Sequence, residues 1–428
     1  MVFTLLLISV LLYAIFYPRN IDYFSIASIS SFIYLYPGLL GKIQFSQGII
    51  RSINQSTYIA VCIWLALLLF FMIINDCKTI KFGNKFIMKK AEDNITLYED
   101  DKDNFAVLVL NILELILVVY AIRKYGGIIS SMRKVDLLAE SDKATSYLKY
   151  IALYSFIYAF VCKGKYSFIL RIFGVSFIIY TFLLGHRSYA VMGLIGIFMY
   201  YIGSTDNKSM LTIIREHTWW FLLMVIAALF FLFIKNTYAA LFAGNFELVK
   251  ERLSNPDYYR NAILVSEANT VMRNLQNIIE SDLPYKLSNY LLSFVTLIPF
   301  VGGRLASFLG YQKFSVDVNL AFNERYDDGF GIGCTYIGEA YALGWYFGVL
   351  VIVFLTMLFL MYLNWKIQQT HDTENFTFLT ITACYFTFFI HRNSQSFLFI
   401  MIRAQIYILI LLKIISKTRI RNRFVDSY

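Results

Sequence analysis

Residues 327–348 read DDGFGIGCTYIGEAYALGWYFG, and this stretch passes from a polar, glycine-rich segment into a hydrophobic helix. The charge-free run VLVIVFLTMLFLMYL follows at 349–363, which predicts a membrane span. Glu339 lies about one turn inside the predicted helix. An acid at the edge of a span is costly unless it faces a partner or a water-filled cavity, so Glu339 is a functional candidate. The alternative is an interfacial carboxylate paired with an arginine or lysine.

The composition of the whole chain is that of a polytopic membrane protein. Of its 428 residues, 58% are hydrophobic and only 15% are charged, whereas about a quarter are charged in a soluble protein. The net charge of +10 indicates cytoplasmic anchoring of the spans rather than nucleic-acid binding. The cysteines form no CxxC pair and the histidines lack metal-ligand spacing, so we expect no metal site and no cofactor.

Runs of about 20 apolar residues define the predicted spans. They predict an all-α integral membrane protein, a single polytopic domain over 1–428 with about 11 spans and a range of 10 to 12. The predicted spans are 2–17, 21–41, 57–75, 105–122, 147–162, 166–184, 189–203, 218–235, 335–363, 376–391 and 395–415. The apolar run 291–301 is too short to cross and is predicted to be interfacial or re-entrant.

The basic C-terminal tail sets the predicted orientation, because short cytoplasmic segments are rich in lysine and arginine. With that tail inside, the turns at 185–188 and 392–394 and the long segment 236–334 face outside. Three- and four-residue apolar spacing predicts an amphipathic helix at 257–281 within this large external loop. That helix either lies across the outer mouth of the bundle or packs on neighbouring loops.

Arginines gather on the predicted outer face. The turns after spans six and ten carry His186-Arg187 and His391-Arg392, Arg403 lies inside the last span, and Arg304 follows two glycines in the long loop. Guanidinium groups donate bidentately to phosphate oxygens, so these positions predict an anion site. Arg187 and Arg392 are alternatively snorkelling anchors. Arg403 is too deep for that and needs an anionic partner or a ligand.

The histidines and acids of this face leave several roles open. His186 and His391 have the pKa range for acid or base catalysis, although a rim histidine more often hydrogen-bonds its neighbours. Asp327-Asp328 suggests a metal, but the first external loop at 42–56 contains no acid to join it. GFGIG at 329–333 does not follow a strand of a βαβ unit, so we exclude a nucleotide loop.

In combination, GFGIGCTYIGEAYALGWYFG at 329–348, GHRS at 185–188 and HRNSQSFLFIMIR at 391–403 resemble the oligosaccharide repeat-unit polymerases, the Wzy-type O-antigen and capsule polymerases. In that family a glycine-rich external loop leads into a helix with an acid, which corresponds here to Glu339. The arginine-containing turns and the order of the predicted spans are similar over nearly the whole chain. Cys334 stands where the family more usually has serine or glycine.

The resemblance implies a GT-C-type, metal-independent glycosyltransferase of the bacterial inner membrane. Its active face would be periplasmic, and its partners would be undecaprenyl-pyrophosphate-linked oligosaccharide, membrane lipid and a chain-length regulator protein. The predicted catalytic residues are Glu339 as first choice of general base, His186 or His391 as second choice, and the cations Arg187, Arg392 and Arg403. The predicted substrate-binding residues are Arg304, Tyr336, Tyr341 and Asp328.

Three other functions remain open from the sequence. An O-antigen ligase would share the bundle and the external arginines and differ in its product. A flippase or transporter for lipid-linked sugar usually shows two matching halves and charges at the bilayer midplane. The chain shows no such halves, and Arg403 alone is deep. A scaffold in a polysaccharide-assembly complex would have no activity of its own.

Overall fold

The computed structural model describes most of the chain in segments separated by gaps. These are residues 1–17, 21–44, 50–92, 101–125, 142–204, 209–219, 222, 226, 237, 244–256, 258–259, 266–316, 318, 335–370 and 372–425. The predicted substrate-binding Asp328 lies outside the described residues, as does nearly all of the predicted span 218–235.

The N-terminal half consists of apolar helices and one small hairpin. Its elements are α1 (Val2–Phe16), α2 (Tyr23–Leu35), α3 (Pro37–Leu40), β1 (Lys42–Gln44), β2 (Ile50–Ser52), α4 (Gln55–Glu92), α5 (Asp101–Lys124), α6 (Lys143–Val161), α7 (Ser167–Leu183) and α8 (Arg187–Ser204). Aspartates fix two helix starts: Asp22 accepts the Ser25 amide at 3.0 Å and Asp142 accepts the Thr145 amide at 2.8 Å. Such caps satisfy N–H groups that a first turn leaves unpaired.

The C-terminal half adds short helices and then the longest apolar ones. Its elements are α9 (Met210–Glu216), α10 (Phe246–Ser254), α11 (Glu267–Ser281), α12 (Leu287–Val295), α13 (Gly302–Phe308), α14 (Tyr336–Gln368), α15 (Thr373–Cys384) and α16 (Gln395–Val425). A π-helical turn, Tyr385–Phe389, and a 3₁₀ turn, Ile390–Arg392, join α15 to the residues before α16.

The protein is mostly helical and multi-pass, as the sequence predicted. Four helices are long and apolar enough to cross a membrane: Gln55–Cys77, Asn104–Lys124, Tyr336–Gln368 and Gln395–Lys417. Shorter apolar helices occupy Val2–Phe16, Tyr23–Leu35, Ser167–Leu183 and Arg187–Ile202. The count of eleven spans stays a prediction.

A small β hairpin lies in the segment 42–56 of a mostly helical fold, which is consistent with the predicted all-α membrane class. Lys42 pairs with Ser52 and Ile43 with Arg51, in antiparallel register. The backbone of Gln44 donates to the side chain of Asn269 in α11 at 3.0 Å and accepts from it at 2.9 Å. The asparagine amide therefore satisfies the backbone of a strand edge. Strands of three residues are too short for alternation to reveal them in the sequence.

The amphipathic helix predicted at 257–281 is confirmed over Glu267–Ser281, which is α11. Its apolar residues Val271, Leu275 and Ile278 are buried, and it packs against α2, α14 and β1. The helix ends at Asp282, whose left-handed φ of 47° stops the regular turn. Residues 260–265, including the predicted apolar Leu264, lie outside the described part of the chain.

Helix α14 is broken near its start, where the sequence predicted one continuous helix over 335–363. Gly344 and Trp345 leave the helical conformation, and Trp345 adopts a φ of 54°, which is strained for a residue with a side chain. A Cβ on Gly348 would lie only 2.3 Å from the carbonyl oxygen of Ala340. Glycine at 348 therefore permits the short helix that carries Glu339 to lie against the long apolar helix after the break.

Replacing Gly348 with alanine is expected to destabilise the protein by about 1–3 kcal/mol, because the new methyl meets backbone that cannot move easily. The measurement is thermal unfolding of the purified protein in detergent. Gly344→Ala is the matched control, since no atom lies within 4 Å of its added Cβ and its φ of −177° is ordinary extended backbone. Equal losses in both variants would contradict this account of the break.

Candidate active site

Glu339 lies in the first turn of α14, after the cap formed by Thr335. The Thr335 hydroxyl accepts the Gly338 amide at 3.1 Å. The Glu339 side chain is only 1% exposed, and its Oε2 accepts the backbone N–H of Gln395 at 2.6 Å. Its Oε1 has no hydrogen-bond partner among the described residues. Glu339 is thus a buried acid that binds the positive end of helix α16 with one oxygen and leaves the other uncommitted.

Buried polar side chains surround this contact. The Gln395 Nε2 donates to the Ser293 hydroxyl of α12 at 3.2 Å. The Tyr336 hydroxyl lies 2.6 Å from the Thr356 hydroxyl and 3.5 Å from the Gln395 Oε1. Because buried polar groups are costly unless paired, this network fixes α12, α14 and α16 relative to each other. Tyr336, predicted to bind substrate, therefore lies inside the network.

The turn that carries the second His-Arg pair follows irregular helix. Residues Tyr385–Phe389 are π-helical, and the carbonyl of Thr387 accepts the Ser30 hydroxyl from α2. A π-helical turn shifts the i→i−4 ladder by one residue and is frequent at functional sites. The irregularity sets the direction in which His391 and Arg392 leave the helix.

His391 is buried against α2 and α4. Its Nε2 lies 3.3 Å from the Ser31 hydroxyl, and its ring centroid lies 5.1 Å from that of Trp64. The Trp64 indole donates to the same Ser31 hydroxyl at 3.0 Å. These contacts favour the alternative stated for His391, a histidine that hydrogen-bonds its neighbours, over the role of general base.

Arg392 forms an ion pair with Glu267, the first residue of α11. Its Nη1 lies 2.7 Å from the Glu267 Oε2, and its guanidinium carbon lies 5.2 Å from the Phe389 ring centroid. Burial disfavours the charged form of Arg392, but Glu267 and Tyr34 outweigh this effect and raise its pKa. The Arg392 side chain is 26% exposed, so the guanidinium remains accessible beside its partner.

Arg403 lies beneath the hairpin of α12 and α13. Its Nη1 donates to the Thr296 carbonyl at 2.9 Å. A Cβ on Gly303 would lie 2.9 Å from the same nitrogen, so glycine at 303 lets the hairpin rest on the guanidinium. Among the described residues no carboxylate forms an ion pair with Arg403. The anionic partner or ligand that its depth calls for therefore does not come from this part of the chain.

The remaining predicted binding residues lie around this hairpin and the break in α14. Arg304 is exposed and directly follows Gly303 in α13. Tyr341 is half-buried, with its ring centroid 5.4 Å from that of Tyr346 across the break. These positions lie near Arg403 and Glu339 in the chain fold but show no direct bond to either.

A pair of tyrosines lies near several of the predicted site residues. The rings of Tyr150 (α6) and Tyr189 (α8) meet edge to face with centroids 5.8 Å apart. Arg403 interacts electrostatically with Tyr150, and Arg392 interacts with Tyr189. The His186 ring contacts Tyr189 at a centroid distance of 6.0 Å. His186 therefore contacts the tyrosine pair directly, whereas Arg403 and Arg392 lie within electrostatic range of one tyrosine each.

Arg187 begins α8 in the same turn as His186. Its guanidinium carbon lies 5.9 Å from the Phe182 ring centroid, and its side chain is half-buried. A cation over an aromatic face fits both an interfacial anchor and a binding residue. Its predicted role stays a prediction.

Sequence reasoning passed over three buried or half-buried polar residues. Gln395 was missed because an amide in a rim turn carries no charge to mark it. Lys149 lies inside the predicted span 147–162, and its Nζ sits 5.3 Å from the Tyr150 ring centroid and 5.8 Å from that of Tyr189. Glu114 of α5 is fully buried, with neither carboxylate oxygen hydrogen-bonded in the described structure. Lys149 and Glu114 could have been found in the sequence, because each is a charged residue inside an apolar run.

The arrangement combines a buried acid, several cations and aromatic rings at one end of the bundle. Cations and fixed donors stabilise a phosphate group that gains negative charge as a bond breaks. In the described part of the chain, no three His, Cys, Asp or Glu side chains are placed to hold a metal ion. The geometry suits transfer of a group from a phosphate-bearing donor.

Comparison with known proteins gave a family match. Residues 265–423 match the family model described as O-antigen polysaccharide polymerase Wzy. The match bears out the resemblance over the motifs at 329–348 and 391–403, and it supports repeat-unit polymerisation at the level of the family. The motif at 185–188 lies outside the matched residues. Searches of curated proteins and of solved structures gave no match.

Proposed function

From the Wzy family match over residues 265–423, we propose that this protein is a glycosyltransferase that polymerises undecaprenyl-pyrophosphate-linked oligosaccharide repeat units into O-antigen or capsular polysaccharide. It would act at the periplasmic face of the bacterial inner membrane, with its C-terminus in the cytoplasm. The match carries the proposal because its range includes Glu339, Arg392 and Arg403.

In the proposed reaction, a hydroxyl of the fresh repeat unit attacks the anomeric carbon of the growing chain. The new glycosidic bond forms as the bond to the pyrophosphate oxygen breaks, and undecaprenyl pyrophosphate leaves. The uncommitted Oε1 of Glu339 takes the hydroxyl proton as general base. Arg392 and Arg403 neutralise the charge that develops on the leaving group, and Arg187 and Arg304 are proposed to assist.

The surroundings of Arg403 suit a diphosphate that carries a long hydrocarbon chain. On the hairpin above it, Phe294, Phe300, Leu305 and Phe308 expose large parts of their side chains, up to 87% for Phe308. An apolar surface next to an arginine matches a charged headgroup joined to an apolar tail. Such a surface supports lipid-linked substrates over soluble sugar donors.

The glycan ladder of a deletion strain tests the function. Loss of a polymerase leaves glycans of a single repeat unit, loss of a ligase leaves lipid-linked polymer, and loss of a flippase leaves substrate on the cytoplasmic side. The purified protein should then form polymer from lipid-linked repeat units. A normal ladder in the deletion strain would exclude the polymerase. Single repeat units that persist after the intact gene is returned to the strain would exclude it as well.

The ion pair between Glu267 and Arg392 yields a smaller prediction. Glu267→Gln removes an anion that competes with substrate for Arg392, so the apparent KM for lipid-linked repeat units should fall about two- to five-fold. The free energy of unfolding should change by no more than about 1 kcal/mol, because the pair is partly exposed.

Arg392→Gln removes the other partner of this ion pair. It should raise the apparent KM for lipid-linked repeat units. The measurement is the initial rate of polymer formation at varied substrate concentration. If both variants raise KM equally, the ion pair positions α11 and Arg392 does not bind the substrate.

A further inference from the structure

A lysine inside helix α6 faces the same tyrosine pair as the predicted arginines. The Lys149 Nζ lies within 6 Å of the ring centroids of both Tyr150 and Tyr189. Arg403 also interacts electrostatically with Tyr150, and Arg392 with Tyr189. Lys149 therefore contacts both rings, and Arg403 and Arg392, from two other elements, lie within electrostatic range of one ring each.

A hydrogen bond places the start of α6, which carries Lys149, next to the part of α16 that carries Arg403. The Tyr150 carbonyl accepts the Gln405 amide of α16 at 3.2 Å, which sets α6 and α16 in register. Arg403 precedes Gln405 by two residues and also acts on Tyr147, one turn before Tyr150. Lys149 and Arg403 thus lie on neighbouring segments of α6 and α16.

The positive charges near these two tyrosines favour an anionic ligand. Like charges repel, so an anion that contacts several cations at once lowers the cost of holding them in a poorly solvated place, as Glu267 does for Arg392 alone. Aromatic faces offset part of that cost through cation–π contacts. A diphosphate carries more negative charge than one guanidinium neutralises, so it satisfies the arrangement better than a single carboxylate.

We propose that Lys149 contacts the diphosphate group of the substrate, as a further cation of the site formed with Arg392 and Arg403. This inference rests on the proposed function and names a binding residue that the motifs do not include. Lysine acts here as a compact point charge with rotatable donors, and the arginines provide the planar forks. In this proposal Lys149 contacts the phosphates from α6 and Arg403 contacts them from α16.

The test measures inhibition of polymer formation by two probes, inorganic pyrophosphate and undecaprenyl pyrophosphate. In Lys149→Met, both should inhibit about 10- to 100-fold more weakly, because a charge-assisted contact is lost. Lys149→Arg keeps the charge and should retain most of the affinity. Weakened inhibition by only the lipid probe would assign Lys149 to the lipid chain and overturn the diphosphate contact.

Lys165→Met is the matched control. Lys165 also lies beside a tyrosine ring, 5.9 Å from the Tyr166 centroid, but beyond the other end of α6. It should leave both inhibition constants unchanged. If Lys149→Met does not fold, Lys149→Gln replaces it with a side chain that keeps polar donors.

The outcomes separate this inference from the function itself. If the unaltered protein forms no polymer from lipid-linked repeats, the proposed function fails. If it forms polymer and Lys149→Met shows the same inhibition constants as Lys165→Met, the lysine contact fails while the polymerase stands. A Lys149→Met variant with lower thermal stability but normal inhibition would mean that Lys149 only supports packing.

Discussion

Replacing Arg403 with alanine is expected to slow polymer formation about 100- to 1000-fold while the protein stays folded. The guanidinium lies under the α12–α13 hairpin, donates to the Thr296 carbonyl and, among the described residues, pairs with no carboxylate. In the proposed reaction, a cation in that position stabilises the leaving diphosphate at the moment its charge develops. Because the interaction is made most strongly in the transition state, the loss should appear mainly in kcat.

Arg171→Ala is the matched control for this experiment. Arg171 also lies in an apolar helix and donates to a carbonyl, that of Ala159 at 3.3 Å, but at the opposite end of α6 from Tyr150. Both variants lose a comparable hydrogen bond, so any difference in rate reports the position of the charge. Arg403→Lys should fall between them, because lysine keeps the charge and loses the fork. Equal rates for the two alanine variants would exclude Arg403 from the reaction.

Much of this site was predictable because charges in apolar surroundings are visible in the sequence. Glu339 and Arg403 stand out as ionisable groups at the rim of a span and inside one, and the structure places both next to residues of the same α12–α16 region. The membrane class followed from the same physics, since only long apolar helices satisfy their backbone in lipid.

What the sequence did not show depends on which helices are neighbours. Lys149 lies beside two tyrosine rings only because Tyr189, forty positions later in the chain, packs on Tyr150. The direction of His391 depends on a π-helical turn, which has no periodicity of its own in the sequence. The break at Gly344 and Trp345 lies within an apolar run where hydrophobicity predicts an unbroken helix.

Glu339→Gln and Glu339→Ala are expected to separate two functions of one carboxyl group. Both variants remove the proposed general base, so polymer formation should fall about 100- to 10,000-fold. Glutamine keeps an oxygen that can accept the Gln395 amide at the start of α16, so this variant should remain about as stable as the unaltered protein. Alanine leaves that buried N–H without an acceptor and should destabilise the protein by about 1–3 kcal/mol.

The two readouts are the rate of polymer formation and thermal unfolding in detergent, measured on the same preparations. Thr356→Val serves as the control, because it removes a buried hydroxyl that bonds to Tyr336 without touching Glu339. It should lower stability and leave most of the activity. If Glu339→Gln is fully active while Glu339→Ala is unstable and inactive, Glu339 acts as a cap for α16, and another group must take the proton from the acceptor hydroxyl.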